Sequence, residues 1–203
     1  MTKNDRPAFG FEVLQQDGAA RRGRLTSGFG VVDTPAFMPV GTAASVKAMM
    51  PEQVASTGAQ IILSNTYHLM LRPGPERVER LGGVRKLMGW DGPLLTDSGG
   101  FQVMSLGPLR NISEQGVSFK SHLDGSIFDL TPERSTQIQH MLDATITMAF
   151  DECTPFPATY DEARASMELS MRWAARSRSA YVARTGYGQF GIVQGSVFED
   201  LRH

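Results

Sequence analysis

The chain has 203 residues, of which 41% are hydrophobic and 20% are charged, and its formal net charge at pH 7 is -1. Such a chain can bury a core in one or two globular domains, and its charge excludes a general basic field, so any RNA-binding face must be a local patch. The single cysteine, Cys153, excludes an internal disulfide and a metal site built from several cysteines of this chain.

Residues 1–35 are predicted to form a small antiparallel sheet. They begin with a polar segment that lacks the apolar core of a signal peptide. No apolar run in the chain approaches membrane-spanning length, so we expect a cytoplasmic protein without a membrane partner. Phe9, Phe11 and Val13 alternate with other residues, and Asp17-Gly18 signals a tight turn. The three arginines between residues 21 and 24 are expected on the solvent face of the next strand.

Residues 36–203 alternate strand and helix signals. Buried strands are predicted at residues 61–63, 94–95, 146–150 and 190–193. Helices are predicted to begin at Pro51, Pro75, Thr131 and Asp161. The last helix is expected to end near Gly186 and to bury the residues at its helical spacing, Ala163, Met167, Met171 and Ala174. A hairpin turned at Asp124-Gly125 is predicted to interrupt the alternation at about residues 109–130.

This alternation indicates an α/β fold with parallel strands joined by right-handed helical crossovers. Polar residues follow four predicted strands, at Asn65, Asp97, Asp151 and Gln194. Ligands bind at that edge both in a (β/α) barrel and in an open α/β sheet, and local pattern leaves both architectures open. A complete (β/α) barrel takes about 250 residues and eight strands, whereas the chain shows about five strand signals, so we expect an incomplete barrel.

The strongest candidate for a site is the stretch Pro93-Leu94-Leu95-Thr96-Asp97-Ser98-Gly99-Gly100-Phe101-Gln102. A buried strand ends there at a carboxylate. Gly99 and Gly100 lack Cβ atoms, so a flat ligand can approach the backbone closely, and the ring of Phe101 can cover it. The alternative is an ordinary strand-to-loop turn in which Asp97 is a solvated cap.

Six motifs, in this order, resemble those of bacterial tRNA-guanine transglycosylases. They are Ser64-Asn65-Thr66-Tyr67-His68-Leu69, Leu71-Arg72-Pro73-Gly74, Asp97-Ser98-Gly99-Gly100-Phe101-Gln102, Ser121-His122-Leu123-Asp124-Gly125-Ser126, Ala149-Phe150-Asp151-Glu152-Cys153-Thr154-Pro155 and Gln194-Gly195-Ser196. The resemblance covers nearly the whole chain. It implies a (β/α)₈ TIM barrel, preceded by the N-terminal sheet and carrying a zinc-binding insertion near its C-terminus. It also implies a pentosyltransferase that exchanges the wobble guanine of tRNA with a GUN anticodon for prequeuosine-1, in queuosine biosynthesis, through a covalent tRNA intermediate.

The resemblance assigns roles to individual residues. Asp151 accepts from guanine N1–H and its 2-amino group, Gln194 donates to the base carbonyl, and Phe101 covers the base. Asp97 is the general acid/base. The remaining assigned residues are Ser98, Gly99 and Gly100, which contact the substrate, and Asn65, Gln102 and Cys153, which support the pocket.

The family's nucleophilic aspartate and its zinc ligands lie downstream of Gln194. We therefore expect the C-terminal half of the barrel and the zinc subdomain to be missing from this chain, which would bind no metal and would not exchange bases by itself. Zinc is expected in the full-length protein. The resemblance also implies a homodimer of the complete protein, through the region of Lys47 and residues 67–69.

Two other functions stay open. A glycoside hydrolase could use Asp97 and Asp151 as its carboxylate pair, because that chemistry also breaks a glycosidic bond through an oxocarbenium-like state. A non-catalytic half-barrel that binds tRNA or a partner would need no nucleophile. The four histidines are interpreted as packing or surface residues, and the arginines at 172, 176 and 178 as a solvated helix face rather than phosphate ligands.

Overall fold

The computed structural model describes residues 6–106 and 110–203, which form a mixed α/β structure with three sheets. The strands are β1 Gly10–Asp17, β2 Ala20–Ser27, β3 Gly30–Thr34, β4 Ile62–Ser64, β5 Leu94–Thr96, β6 Arg110–Ser113, β7 Gly116–Lys120, β8 Ile127–Leu130, β9 Ile146–Met148 and β10 Gly188–Phe190. The helices are α1 Pro51–Ser56, α2 Thr66–Leu71, α3 Pro75–Arg80, α4 Val84–Met88, α5 Gly100–Leu106, α6 Pro132–Met141 and α7 Tyr160–Ala180, followed by a 3-10 turn at Glu199–Leu201.

The N-terminal sheet is an antiparallel meander in the order β1-β2-β3. β1 is exposed along its whole length, whereas Leu25 of β2 and Val32 of β3 are buried against Ile61, Leu95 and Ile146. The meander therefore packs on the central sheet through one face of β2 and β3. The arginines between residues 21 and 24 are exposed, as predicted.

The central sheet is parallel and has the strand order β10-β9-β5-β4. Its strands are short and apolar because helices cover them, and Ile62, Leu94 and Ile146 are almost completely buried. A parallel bridge from Val40 to Leu63 adds the preceding segment at the β4 side. This arrangement brings the carboxyl ends of the four strands to one edge.

A third sheet, β6-β7-β8, is inserted between α5 and α6. The predicted hairpin is present as β7 and β8, and a further strand, β6, pairs with β7. Asp124-Gly125 lies within a longer loop, in which Gly125 N–H donates to Ser121 O at 2.9 Å, instead of forming a two-residue turn. Part of the predicted segment, residues 107–109, lies outside the described residues.

The long helix α7 differs from its prediction in its bounds and in its buried face. It begins after Thr159, whose hydroxyl accepts from Glu162 N–H, because this pair forms a capping box; Asp161 lies inside the first turn. It ends at Ala180 instead of near Gly186. The buried side chains are Ala163, Ser166, Ser170, Trp173 and Ser177. The predicted methionine stripe is wrong, since Met171 is 45% exposed.

The last strand is also displaced from its prediction. Gly188–Phe190 pairs with Ile146–Met148, so the apolar residues 192–193 lie beyond the strand, and Val193 is 66% exposed. Gly188 is required at the start of this strand because any Cβ there would collide with the ring of Phe9. Among the helices of residues 6–106 and 110–203, none is long and apolar enough to cross a membrane.

Candidate functional site

The polar residues that were predicted to follow four strands do gather at one edge of the central sheet. Asn65 follows β4 directly and Asp97 follows β5 directly, while Asp151 and Gln194 lie in the loops after β9 and β10. Hydrogen bonds join them in two groups, one around Asp97 and the other around Asp151. The edge is the ligand-binding edge of a parallel sheet.

Asp97 is held by amide donors on both carboxylate oxygens. Asn65 Nδ2 donates to Oδ2 at 2.5 Å and Gln102 Nε2 donates to the same oxygen at 2.8 Å. The backbone N–H of Thr66 donates to Oδ1 at 2.8 Å. Burial raises the pKa of Asp97 above its ordinary value, and these hydrogen bonds oppose that rise. The carboxyl group is thus fixed in position and shifted toward the pH range in which it can exchange a proton.

Asp151 is bound by two neutral donors, one from each side. Ser98 Oγ donates to Oδ1 at 3.0 Å, and Gln194 Nε2 donates to Oδ2 at 2.8 Å. Burial is the main cause that raises the pKa of Asp151, and the nearby charge of Asp97 raises it further. Because Ser98 follows Asp97 in the chain, this bond connects the two carboxylate groups into one site.

The two glycines of the site are required by its geometry. Gly99 has φ +88°, a conformation that side chains other than glycine rarely adopt. A Cβ on Gly100 would lie 2.5 Å from the backbone oxygen of Asp151 and 3.3 Å from its Oδ1. The first residue of α5 therefore touches the loop after β9, and this contact sets the distance between the Asp97 and Asp151 groups.

Phe101 and Cys153 flank the carboxylates. The ring of Phe101 is 60% exposed, on the first turn of α5, and is free to cover a ligand. Cys153 is half-buried, and burial together with Asp151 and Glu152 raises the pKa of its thiol. A thiol in this state is a poor nucleophile.

A family model described as queuine tRNA-ribosyltransferase matches residues 16–203. The chain is 64% identical to the queuine tRNA-ribosyltransferase of Rickettsia felis over 194 residues, and 62% identical to those of Rickettsia akari and Rickettsia bellii. Each alignment covers 96% of this chain and 54% of the relative. The chain belongs to the queuine tRNA-ribosyltransferase family. It spans about half the length of these curated relatives.

Several residues that support this candidate site were not predicted. Thr66 Oγ1 donates to Asp97 O at 2.6 Å, and Ser135 Oγ of α6 donates to Ser98 O at 2.7 Å. Ser170 and Ser177 of α7 accept from the backbone N–H groups of Glu152 and Phe150. The buried serines of α7 thus hold the loop that carries Asp151. Their helical spacing is visible in the sequence, but a serine face is ordinarily taken as solvent-exposed.

Two histidines, His68 and His122, lie together near Asp97. His122 Nδ1 is 3.0 Å from Tyr67 Oη, and the ring centroids of His68 and His122 are 6.2 Å apart. Burial lowers the pKa of His68, and His122 lowers it further. Throughout the described ranges, 6–106 and 110–203, no group of three or more His, Cys, Asp or Glu residues could hold a metal ion.

A concave surface near the N-terminal sheet does not contain the carboxylates of the candidate site. A cleft of about 690 Å³ between β3 and α1 is lined mainly by apolar residues such as Phe37, Val40 and Met49. It contains Asp33 but none of the residues of the strand edge. The hydrogen-bonded carboxylates, and not this cleft, are the candidate active site.

Proposed function

We propose that this chain carries the base-recognition half of a tRNA-guanine transglycosylase. Such an enzyme exchanges the wobble guanine of a GUN anticodon for prequeuosine-1, through a covalent tRNA intermediate. The observation that carries the proposal is the placement of Asp151, bound to Gln194, at the same sheet edge as the half-buried Asp97. Membership of the queuine tRNA-ribosyltransferase family supports it.

Asp151 is suited to select guanine. An ionised carboxylate has about four acceptor positions, and only Ser98 and Gln194 use them among the described residues. The remaining positions can accept guanine N1–H and the 2-amino group side by side. Adenine and the pyrimidines lack that donor pair, so a partly buried acceptor would be left unpaired with them, which costs about 1–3 kcal/mol.

Gln194 completes the recognition of the base edge. One hydrogen of its Nε2 amide donates to Asp151 Oδ2 at 2.8 Å, which leaves the second hydrogen for another acceptor. The carbonyl oxygen of guanine lies beside N1–H and is the matching acceptor. The bond to Asp151 also orients the amide, so Gln194 presents nitrogen and not oxygen to the base.

Asp97 is suited to move a proton at the base. Its raised pKa brings the carboxyl group closer to neutral pH, where a general acid/base works best. In exchange, it would take the proton from the ring nitrogen of the incoming base and return one to the departing guanine. Asn65, Thr66 and Gln102 fix the carboxyl group and stabilise its ionised form.

In this proposal the ring of Phe101 stacks on one face of the base, and the backbone of Gly99 and Gly100 lies close to the base. Stacking of one base on an aromatic ring contributes about 1–3 kcal/mol, and the exposed ring of Phe101 is available for it. The two glycines leave room for the flat base against the backbone at the start of α5.

The remaining steps belong to the whole protein. We propose that the four parallel strands are part of a (β/α)₈ barrel, with residues 1–35 as an added sheet, residues 36–203 as its first part and residues 109–130 as an insertion. The covalent nucleophile is assigned to residues outside this chain, which alone would bind the base without exchanging it. Zinc does not fit the described part of the chain, because no suitable ligand cluster is present there. A cytoplasmic homodimer of the complete protein is part of the same proposal.

A chimera tests the exchange activity. This chain would be joined to the remaining part of the Rickettsia felis relative, and incorporation of labelled guanine into tRNA would be measured. We expect exchange by the chimera, loss of at least about a hundredfold with Asp97→Ala, and little change with the exposed control Asp129→Ala. Exchange by the Asp97→Ala chimera at the unmodified rate would refute the role of Asp97, and hydrolysis of a sugar substrate would favour the glycosidase alternative.

A further inference from the structure

A second polar cleft lies at the opposite end of the central strands from the candidate active site. It has a volume of about 500 Å³ and is lined by residues that include Arg6, His140, Asp143, Arg184 and Tyr187. Asp143 lies shortly before β9, and Tyr187 directly precedes β10. The cleft is therefore at the amino ends of the strands, whereas Asp97, Asp151 and Gln194 are at the carboxyl ends.

Two arginines and two acidic residues line this cleft, and a third arginine, Arg85, lies behind the lining and binds Asp143. Arg184 Nη1 donates to Asp143 Oδ1 at 2.9 Å, and Arg85 Nη2 donates to Asp143 Oδ2 at 3.0 Å. Tyr187 Oη also donates to Asp143, at 2.8 Å, and it accepts from Arg6 Nη1 at 3.2 Å. The Asp143 carboxylate thus accepts hydrogen bonds from two guanidinium groups. Glu79 is the other acidic residue of the lining.

Four buried polar atoms beside the cleft have no hydrogen-bond partner within the described residues. They are His140 Nε2, Tyr181 Oη, Arg184 Nε and Arg184 Nη2. The rings of His140 and Tyr181 are 5.3 Å apart, and Arg184 is close enough to both to influence their ionisation. Buried polar groups are almost always paired, so this group of unpaired atoms marks the cleft as a candidate binding site.

The chemistry of these atoms points to an oxyanion. Nε and Nη2 form one edge of the guanidinium fork, and the other side of the same group is already bound to Asp143. A guanidinium can only donate, and its fork matches the two oxygens of a carboxylate or a phosphate.

We propose that this cleft binds the oxyanion group, phosphate or carboxylate, of a small molecule between Arg184, His140 and Arg6. The side chain of Arg184 is 33% exposed, whereas its unpaired Nε and Nη2 atoms are covered, so binding in this proposal requires the side chain to turn toward the cleft. The ring of Tyr187 lies 3.7 Å from the Arg184 guanidinium and supports it from one face. The site is distinct from the base site, because the length of the central strands separates them.

Titration of the protein with inorganic phosphate, and separately with acetate, tests the proposal. Chloride at equal ionic strength is the control for general charge effects. We expect saturable binding of one oxyanion per chain, together with a shift of the His140 imidazole signals in NMR spectra and no comparable shift of His203. The probe that binds with the higher affinity would identify the class of oxyanion, phosphate or carboxylate. Absence of saturable binding of both probes would overturn the proposal.

Two substitutions at Arg184 and a matched control locate the site. Arg184→Gln removes the charge, while Arg184→Lys keeps a cation for Asp143 but removes the fork. We expect both to weaken binding about tenfold or more, because a charge-assisted bidentate contact is lost. Arg164→Gln makes the same change of charge at an exposed surface pair on α7 and should leave affinity within about twofold. Equal affinity of Arg184→Lys and the unmodified protein, or equal weakening by Arg164→Gln, would overturn the proposal. If the Arg184 variants do not fold, the selective shift of His140 in the unmodified protein decides.

Discussion

Replacing Gly100 with alanine tests whether the contact between α5 and the Asp151 loop sets the geometry of the site. The added Cβ would lie 2.5 Å from Asp151 O and 3.4 Å from Ser98 Oγ. The first of these atoms is backbone and cannot rotate away. Restoring ordinary van der Waals separation requires α5 and the loop to part by about 0.9 Å. Overpacking of this kind costs about 1–3 kcal/mol, which corresponds to a fall in melting temperature of roughly 2–12 °C for a chain of this size.

The same displacement should weaken base binding as well as lower stability. Asp151 and its partner Gln194 would shift relative to Asp97, so the groups that bind the base edge would no longer be correctly placed together. Thermal unfolding and calorimetric titration with guanine measure the two effects. Gly10→Ala is the matched control, since a Cβ there meets nothing within 4 Å. If the Gly100→Ala variant has the same melting temperature and the same guanine affinity as the Gly10→Ala variant, the reasoning is refuted.

Three further predictions concern the base cover, an ionic support and the ionisation of the site. Phe101→Ala should weaken guanine binding by about 1–3 kcal/mol without lowering the melting temperature, because the ring is mostly exposed; Phe37→Ala, at another exposed ring, should leave binding unchanged. Arg176→Ala removes bonds to both oxygens of Glu133 and to the backbone oxygens of Glu114 and Gln115, so it should destabilise the protein by about 1–3 kcal/mol. Arg164→Ala, at an exposed surface pair, should change stability little. The hydrogen bond from the Arg176 guanidinium is the main cause that lowers the pKa of Glu133 from 4.5 to about 2. The stability that this ionised pair contributes is therefore present above pH 4.5 and is lost as the pH falls toward 2. The Arg176→Ala variant should not show this loss of stability between pH 4.5 and 2 in acid unfolding. For Asp151 the pH dependence has the opposite sign, because its raised pKa means that the free energy of unfolding falls as the pH rises above 3.8. In denaturant unfolding, Asp151→Asn should therefore be at least as stable as the unmodified protein at pH 7, and the difference between the two should be smaller at pH 4.

The polar ends of the strands could be predicted from the sequence because two local signals coincide there. A short apolar run indicates a buried strand, and the polar residues that follow the end of that strand lie at the sheet edge. This reasoning located Asn65 and Asp97, which directly follow β4 and β5. It also identified Asp151 and Gln194 as edge residues, although both lie in loops some residues beyond their strands.

The supports of the site could not be predicted in the same way because they depend on pairing across the fold. Ser170 and Ser177 belong to the buried face of α7 only because the loop after β9 presents unpaired backbone N–H groups to them. An apolar-stripe argument therefore selected Met171, which is exposed. The start of β10 was missed for a related reason. Gly188 is there to make room for the ring of Phe9, and a glycine carries no apolar signal of its own.

The comparison of guanine with adenine is the most direct test of the central claim, that Asp151 and Gln194 form a guanine-reading edge. Both affinities would be measured calorimetrically for the unmodified chain and for Asp151→Asn, whose side chain keeps the shape of Asp151 but loses one acceptor. We predict that guanine binds at least about tenfold more tightly than adenine and that Asp151→Asn removes most of this difference. Equal affinity for the two bases, or full discrimination by the folded Asp151→Asn variant, would contradict the account.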